Sequence, residues 1–113
     1  APEYILTSSM TSSSDIWCLG ALAMECAENN LPHCELHPAR LIFVYKNPNL
    51  PPPRLKKPEK FSKEFNDFIE LCLKLDPKER PNAGELLKHP FIRKACTKLH
   101  LAQLLFMHKL IKK

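Results

Sequence analysis

The stretch from Asp15 to Cys26, DIWCLGALAMEC, carries charge only at Asp15 and Glu25 and is apolar almost everywhere else. A helix with that pattern has no side it can turn to water, so it is expected to be buried all round, with neighbours on every face. Ser13 or Ser14 can accept the amide hydrogen bonds left open at its start, and Asp15 places negative charge where the helix dipole favours it. Glu28-Asn29-Asn30, followed by Pro32, supplies the stop.

The other segments must be built around this one. Pro38 to Tyr45 reads as a second helix, with proline in its first turn and Leu41, Ile42, Val44 and Tyr45 inside. Pro48, Pro51, Pro52 and Pro53 then forbid regular structure; a rigid connector is the expected use of that run, a polyproline ligand the other one. From Ser62 to Leu75, Phe65, Phe68, Ile69 and Cys72 recur at helical intervals behind Phe61, while Lys63, Glu64, Asn66, Asp67, Glu70 and Lys74 fall on the opposite side. Asp76-Pro77 stops this amphipathic helix. Asn82 with Glu85 three positions on has the form of a capping box for a short helix through Lys88, ended by His89-Pro90. Lys98 to Lys113 carries Leu99, Leu101, Leu104, Leu105, Phe106, Leu110 and Ile111 and reads as a helix docked on its own domain; membrane or calmodulin binding is the other reading. No segment alternates with period two, so the fold class is all-α.

Several functions are excluded by composition. The chain has 113 residues, 44% hydrophobic and 26% charged, the proportions of one globular domain. Its two glycines, Gly20 and Gly84, stand alone, so no glycine-rich loop cradles a phosphate. The net charge of +5 is spread out apart from Arg54, Lys56, Lys57 and Lys60, and no aromatic residues interleave with that run, which argues against nucleic acid. Cys18, Cys26, Cys34, Cys72 and Cys96 are odd in number and lack C-x-x-C spacing, as reduced cytoplasmic thiols would be, and most are expected to be buried. His33, Cys34 and His37 lie close in sequence, but a structural zinc site needs a fourth ligand that nothing nearby supplies. No apolar run has membrane-spanning length. A chain opening at Ala1 without a leader is expected to be a piece of a longer product.

Four separated motifs, Ala1-Pro2-Glu3, Asp15-Ile16-Trp17 with Gly20, Asp76-Pro77 with Arg80-Pro81, and His89-Pro90-Phe91-Ile92, resemble in order and spacing the lower half of the C-terminal lobe of a eukaryotic protein kinase. Met24-Glu25, His37-Pro38, Asn47-Pro48 and Leu86-Leu87-Lys88-His89-Pro90 look most like the Ste20-like group of serine/threonine kinases. The resemblance implies a partial, truncated kinase domain over residues 1–94 and a helical extension over 95–113. It implies a buried structural ion pair between Glu3 and Arg80, a catalytic-loop anchor at Asp15 and a core anchor at Trp17. Where the family usually has Gly-x-Pro-Pro-Tyr, this chain reads Asn30-Leu31-Pro32-His33-Cys34. Ser8, Ser9, Ser12, Ser13 and Ser14 follow the Ala-Pro-Glu motif, whereas the family's activation-loop site precedes it.

Phosphoryl transfer needs a glycine-rich cover, a strand lysine paired to a helix glutamate, an aspartate base and carboxylate-held magnesium. The chain has no His-Arg-Asp; its Asp67-Phe68 is followed by Ile69 rather than glycine and sits on the amphipathic helix. ATP and magnesium, and protein substrates, are therefore expected of a complete parent kinase, with no catalytic, nucleotide or metal residue here. Two readings stand: a segment of a working serine/threonine kinase, or a non-catalytic helical docking or decoy module derived from one.

Overall fold

A computed structural model describes residues 1–29, 37–95 and 98–111. Those residues form seven α-helices and two single 3₁₀ turns, with no strand among them: α1 Pro2–Thr7, α2 Ser12–Glu28, α3 Pro38–Lys46, α4 Lys63–Cys72, α5 Ala83–Leu86, α6 Pro90–Arg93 and α7 Lys98–Ile111. The turns, Pro58–Lys60 and Pro77–Glu79, precede α4 and α5.

The start of α2 differs from expectation. The helix begins at Ser12 with Thr11 as N-cap, and the Thr11 N–H donates to Ser14 Oγ at 3.2 Å. Ser13 is instead drawn away, its hydroxyl donating to the Pro77 carbonyl at 2.6 Å. At the other end Asn29 adopts φ 59°, a left-handed conformation asparagine tolerates, and its N–H donates to Glu25 O. Residues 30–36, with the expected stop at Asn30 and Pro32, lie outside the described residues.

Nor is α2 enclosed on all sides. Ile16, Trp17, Gly20 and Met24 are buried, but Leu19 and Leu22 are 41% and 56% exposed, and Cys18 and Cys26 face solvent. The reason is that α4 and the turn at Pro77–Glu79 cover one side only. Cys72 is thus the buried thiol among the three described cysteines; Cys34 and Cys96 lie outside the described residues.

Gly20 sets the distance between α2 and α4. A Cβ at that position would stand 2.5 Å from Cys72 Cβ and 3.0 Å from Leu73 Cδ2, so only a bare Cα permits the contact. Two clusters flank it. Trp17, Met24, Leu55, Ile69 and Leu73 form one; Ile16, Phe68, Cys72 and Leu86 form the other, joined by Phe91 and Ile92 from α6. Phe91 packs on both Phe65 and Phe68, with ring centroids 4.9 and 5.1 Å apart. Burying large apolar side chains contributes roughly 1.5–3 kcal/mol apiece, so these clusters dominate the fold's stability.

Local chemistry explains the remaining helices. Ser62 Oγ accepts from Phe65 N at 3.1 Å and Asn82 Oδ1 from Glu85 N at 2.8 Å, both side-chain N-caps. His37 and His89, each before a proline, accept through Nδ1 from Ala39 N and Phe91 N, both at 3.1 Å. His89-Pro90 therefore ends one helix and begins another. α4 stops at Cys72, three residues short of expectation, yet Leu73 beyond it is fully buried. In α3 the expected interior residue Ile42 is 41% exposed and Phe43 79%, because α1 covers only part of that helix. α7 is not docked: every described side chain from Leu101 to Ile111 is exposed. No described helix is long and apolar enough to cross a membrane.

Candidate functional site

The densest polar arrangement among the described residues centres on Arg80. Its side chain is fully buried, and Glu3, 77 positions earlier, retains 14% exposure. The extended backbone at Arg80 follows from its place just beyond the 3₁₀ turn, where Asp76 Oδ1 accepts from Lys78 N at 2.9 Å and aims the next residues back toward α2. Glu3 sits in the first turn of α1, whose Pro2 is pre-set for a helical start.

All five guanidinium N–H groups are engaged. Nε donates to the Lys74 carbonyl at 2.8 Å; one terminal nitrogen donates to Glu3 Oε2 at 2.8 Å and to the Ser13 carbonyl at 3.0 Å; the other donates to Glu3 Oε1 at 2.9 Å and to the Leu75 carbonyl at 3.3 Å. The pair is bidentate, the geometry that only arginine offers a carboxylate. Ser14 Oγ donates to Glu3 Oε2 at 2.8 Å, so each carboxylate oxygen is held. The Trp17 ring lies beneath the guanidinium carbon at 5.1 Å from its centroid, adding a cation–π contact, and the same ring meets Tyr45 edge-on.

Burial alone would raise the Glu3 carboxyl. The hydrogen bond and charge of Arg80, with the Glu3 backbone N–H and Ser14, outweigh it and hold the group at about 2, below its ordinary 4.5. Glu3 is therefore held as an anion well below its ordinary range. The site ties three segments that are distant in sequence, α1, the start of α2 and the 74–80 turn.

Other candidate residues are dispersed. Asp15 is exposed in the first turn of α2, and among the described residues nothing donates to its carboxylate. Trp17 is buried at 5% exposure. Asp67 is exposed on α4 while Phe68 points into the core. His37 uses Nδ1 to cap α3, and His33 and Cys34 lie outside the described residues. Burial pushes the Cys72 thiol up to about 11, against a small opposing effect of the Arg80 charge, which makes it unreactive.

These residues do not fit ATP and magnesium. Gly20 is closed off between two helices and Gly84 is exposed on the short α5. Glu3, the carboxylate bound by the buried cation, is already saturated. No group of three or more His, Cys, Asp or Glu converges among the described residues.

Two features here escaped sequence reasoning. Gly20 was legible as an isolated glycine and as part of the Asp15-Ile16-Trp17 motif, but its packing role was not, although a glycine in an otherwise bulky helix is a signal of close backbone approach. Ser14 accepts the Thr11 N–H at the start of α2 as a cap would, but its hydroxyl also donates to Glu3, and Ser13 serves the clamp through its carbonyl; those second roles were not legible.

Residues 1–92 match the protein kinase domain family. The chain is 50% identical over 95 residues to serine/threonine-protein kinase 4 homolog A of Dictyostelium discoideum, a match covering 84% of this chain and 21% of that protein. It is 47% identical over 95 residues to serine/threonine-protein kinase cst-1 of Caenorhabditis elegans, covering 84% and 19%. With serine/threonine-protein kinase dst3 of Dictyostelium discoideum, identity is 44% over 104 residues, covering 92% and 18%. The chain thus spans about a fifth of the length of the curated relatives it matches.

Proposed function

Because the chain belongs to the protein kinase domain family, we propose that it is the helical base of the C-terminal lobe of a Ste20-like serine/threonine kinase. In the complete parent that enzyme transfers the γ-phosphate of ATP, with magnesium, to serine or threonine of protein substrates. This segment contributes no catalytic residue and is inactive alone. Its work is to hold the end of the activation segment against the helical subdomain, so that catalytic groups supplied elsewhere in the parent are kept in fixed geometry.

The observation that carries this reading is the Glu3–Arg80 clamp, a bidentate pair joining the Ala-Pro-Glu segment to the turn after α4 with every guanidinium donor engaged. The apolar side of α2 left open, with Leu19 and Leu22, is a bed for further kinase-domain helices. For Asp15, whose exposure at the head of α2 leaves its carboxylate available, the role we assign is acceptor of catalytic-loop amides in the parent. Residues 1–94 constitute the partial kinase domain and 95–113 the extension. The free thiols of Cys18, Cys26 and Cys72 support a cytoplasmic parent.

The test is expression of the coding sequence of the locus from its start codon, followed by assay of radiolabelled phosphate transfer from magnesium-ATP to a general serine/threonine protein substrate. Label on serine or threonine is the expected result. A product without transfer, and without His-Arg-Asp and Asp-Phe-Gly sequences, would leave the non-catalytic docking or decoy module in its place.

A further inference from the structure

The segment leading into α4 gathers positive charge, with Arg54, Lys56, Lys57 and Lys60 exposed against one acid of the run, Glu59. Lys56, Lys57 and Lys60 converge: together with Glu28, Ala27 and Phe61 they line one concavity of about 250 Å³. The lysines are exposed while Ala27 and Phe61 are half-buried, so charge stands around an apolar floor. Three cations and one anion leave the concavity a net +2. Glu28 is moreover already engaged, its Oε2 accepting from Lys56 N at 2.8 Å. Among the described residues none of the three lysines makes an ion pair.

Lysines on a freely solvated loop would have no fixed arrangement, but this run is tied down. Leu55 is buried in the core beside Trp17 and Met24, and the Lys56 amide is held by Glu28. Lys60 N–H donates to the Lys57 carbonyl at 3.1 Å, and Asn66 Nδ2 of α4 donates to the Pro58 carbonyl at 3.0 Å. Backbone ordered in advance loses little entropy on binding.

Charge decides what can cover this surface. An apolar face accepts any apolar neighbour, whereas lysines are almost never buried without partners, so only an acidic surface can close on this one. A phosphate group is better matched by the planar fork of arginine, and Arg54 does not line the concavity. A flat anionic bilayer does not enter a concavity, and single-stranded nucleic acid needs successive aromatic platforms where the lining offers Phe61 alone. We propose that Lys56, Lys57 and Lys60 form a docking site for an acidic linear segment of a partner protein, with its carboxylates on the three ammonium groups and an apolar side chain over Ala27 and Phe61. The site shares no residue with the Glu3–Arg80 clamp and its test reads binding rather than phosphate transfer, so it stands or falls separately from the kinase role.

The probe is a fluorescein-labelled peptide of aspartates and glutamates around a central leucine, titrated by fluorescence anisotropy with the whole 113-residue chain. Binding with Kd of about 100 μM or tighter is expected at about 50 mM salt, weakened at least about fivefold at about 300 mM. The triple variant Lys56→Ala, Lys57→Ala, Lys60→Ala is expected to weaken it at least about tenfold. All three side chains are exposed and alanine keeps the amide that Glu28 holds, so the fold is unaffected. A charge-matched control, Lys46→Ala, Lys78→Ala, Lys88→Ala, removes three exposed lysines from elsewhere and is expected to bind within about twofold of the unaltered chain. The product of the locus expressed from its start codon is expected to bind the peptide as well. No binding, equal binding of an asparagine–glutamine version of the peptide, equal loss in both triple variants, or failure of the full product to bind because its own chain fills the site would each overturn the proposal. So would tighter capture of a single-stranded oligonucleotide or of phosphatidylserine vesicles through the same three lysines.

Discussion

At Arg80, one side chain joins segments separated by most of the chain, and the energetic consequence is asymmetric. Removing either partner strands the other with its hydrogen bonds unmade; the Glu3→Ala and Arg80→Ala variants are each expected to lose about 3–5 kcal/mol of stability in chemical denaturation. An exposed control, Asp67→Asn on α4, should change it by less than about 0.5 kcal/mol. Arg80→Lys should resemble the alanine variant, because an ammonium cannot reach Glu3, two carbonyls of the 74–75 turn and Ser13 together. The Glu3 carboxyl also predicts a pH dependence. Its folded value near 2 lies below its ordinary 4.5, so between these values the unfolded chain binds more protons and stability falls as pH falls. That contribution is complete above pH 4.5, is lost progressively toward pH 2, and amounts to something on the order of 3 kcal/mol. Unfolding midpoints measured from about pH 6 to pH 2 should show it, and Glu3→Gln should flatten the curve in that window. The residues of this pair were legible through the kinase resemblance, since Ala1-Pro2-Glu3 and Arg80-Pro81 are recognisable as strings. Their hydrogen-bond partners were not: that Ser13 gives a backbone carbonyl to Arg80 and Ser14 a hydroxyl to Glu3 depends on how α2 approaches the 74–80 turn.

Among the helices, the closeness of α2 to α4 is the property most exposed to single substitutions. Gly20→Ala is expected to cost about 1–3 kcal/mol, although alanine is the better helix former. The obstructing atom is Cys72 Cβ, so Cys72→Ala, which keeps that carbon, should not rescue it; thermal melts of the two single variants and the double variant check this. Leu55, in the proline-rich connector, is only 5% exposed and packs with Trp17 and Met24. Leu55→Ala should cost about 2–5 kcal/mol by denaturant titration, the same order as a helix-borne core residue. The existence of α2, α3, α4, α5 and α7 was readable from periodicity and caps, with Ser62, Asn82 and the proline at 38 marking starts; α1 and α6 were not, being too short to show a period, and Pro90 read only as a stop although it also begins α6. Leu55 was not readable, because a residue in an irregular segment has no period by which to assign it a face. The boundaries of α2 and α4 shifted for a related reason: hydrogen bonds from Thr11 and packing of Leu73 set the ends, and neither depends on local propensity alone.

For the chain as a whole, the described residues supply a clamp and a core but no nucleotide cradle. A ligand stabilises a fold only through a site it occupies, so magnesium-ATP should leave the melting temperature of this 113-residue chain unchanged; an upward shift of more than about 1 °C in calorimetry would show a nucleotide site that these residues do not form. Apolar patterning established that the chain is helical, that Asp15 to Cys26 seeks burial, and that no glycine-rich loop is available, because these follow from residue types and intervals along one strand of sequence. Which sides of α2 and α7 are covered, which serine serves Glu3, and why position 20 admits no side chain were decided only when the helices met, since burial is a relation between surfaces and each surface is contributed by residues tens of positions apart.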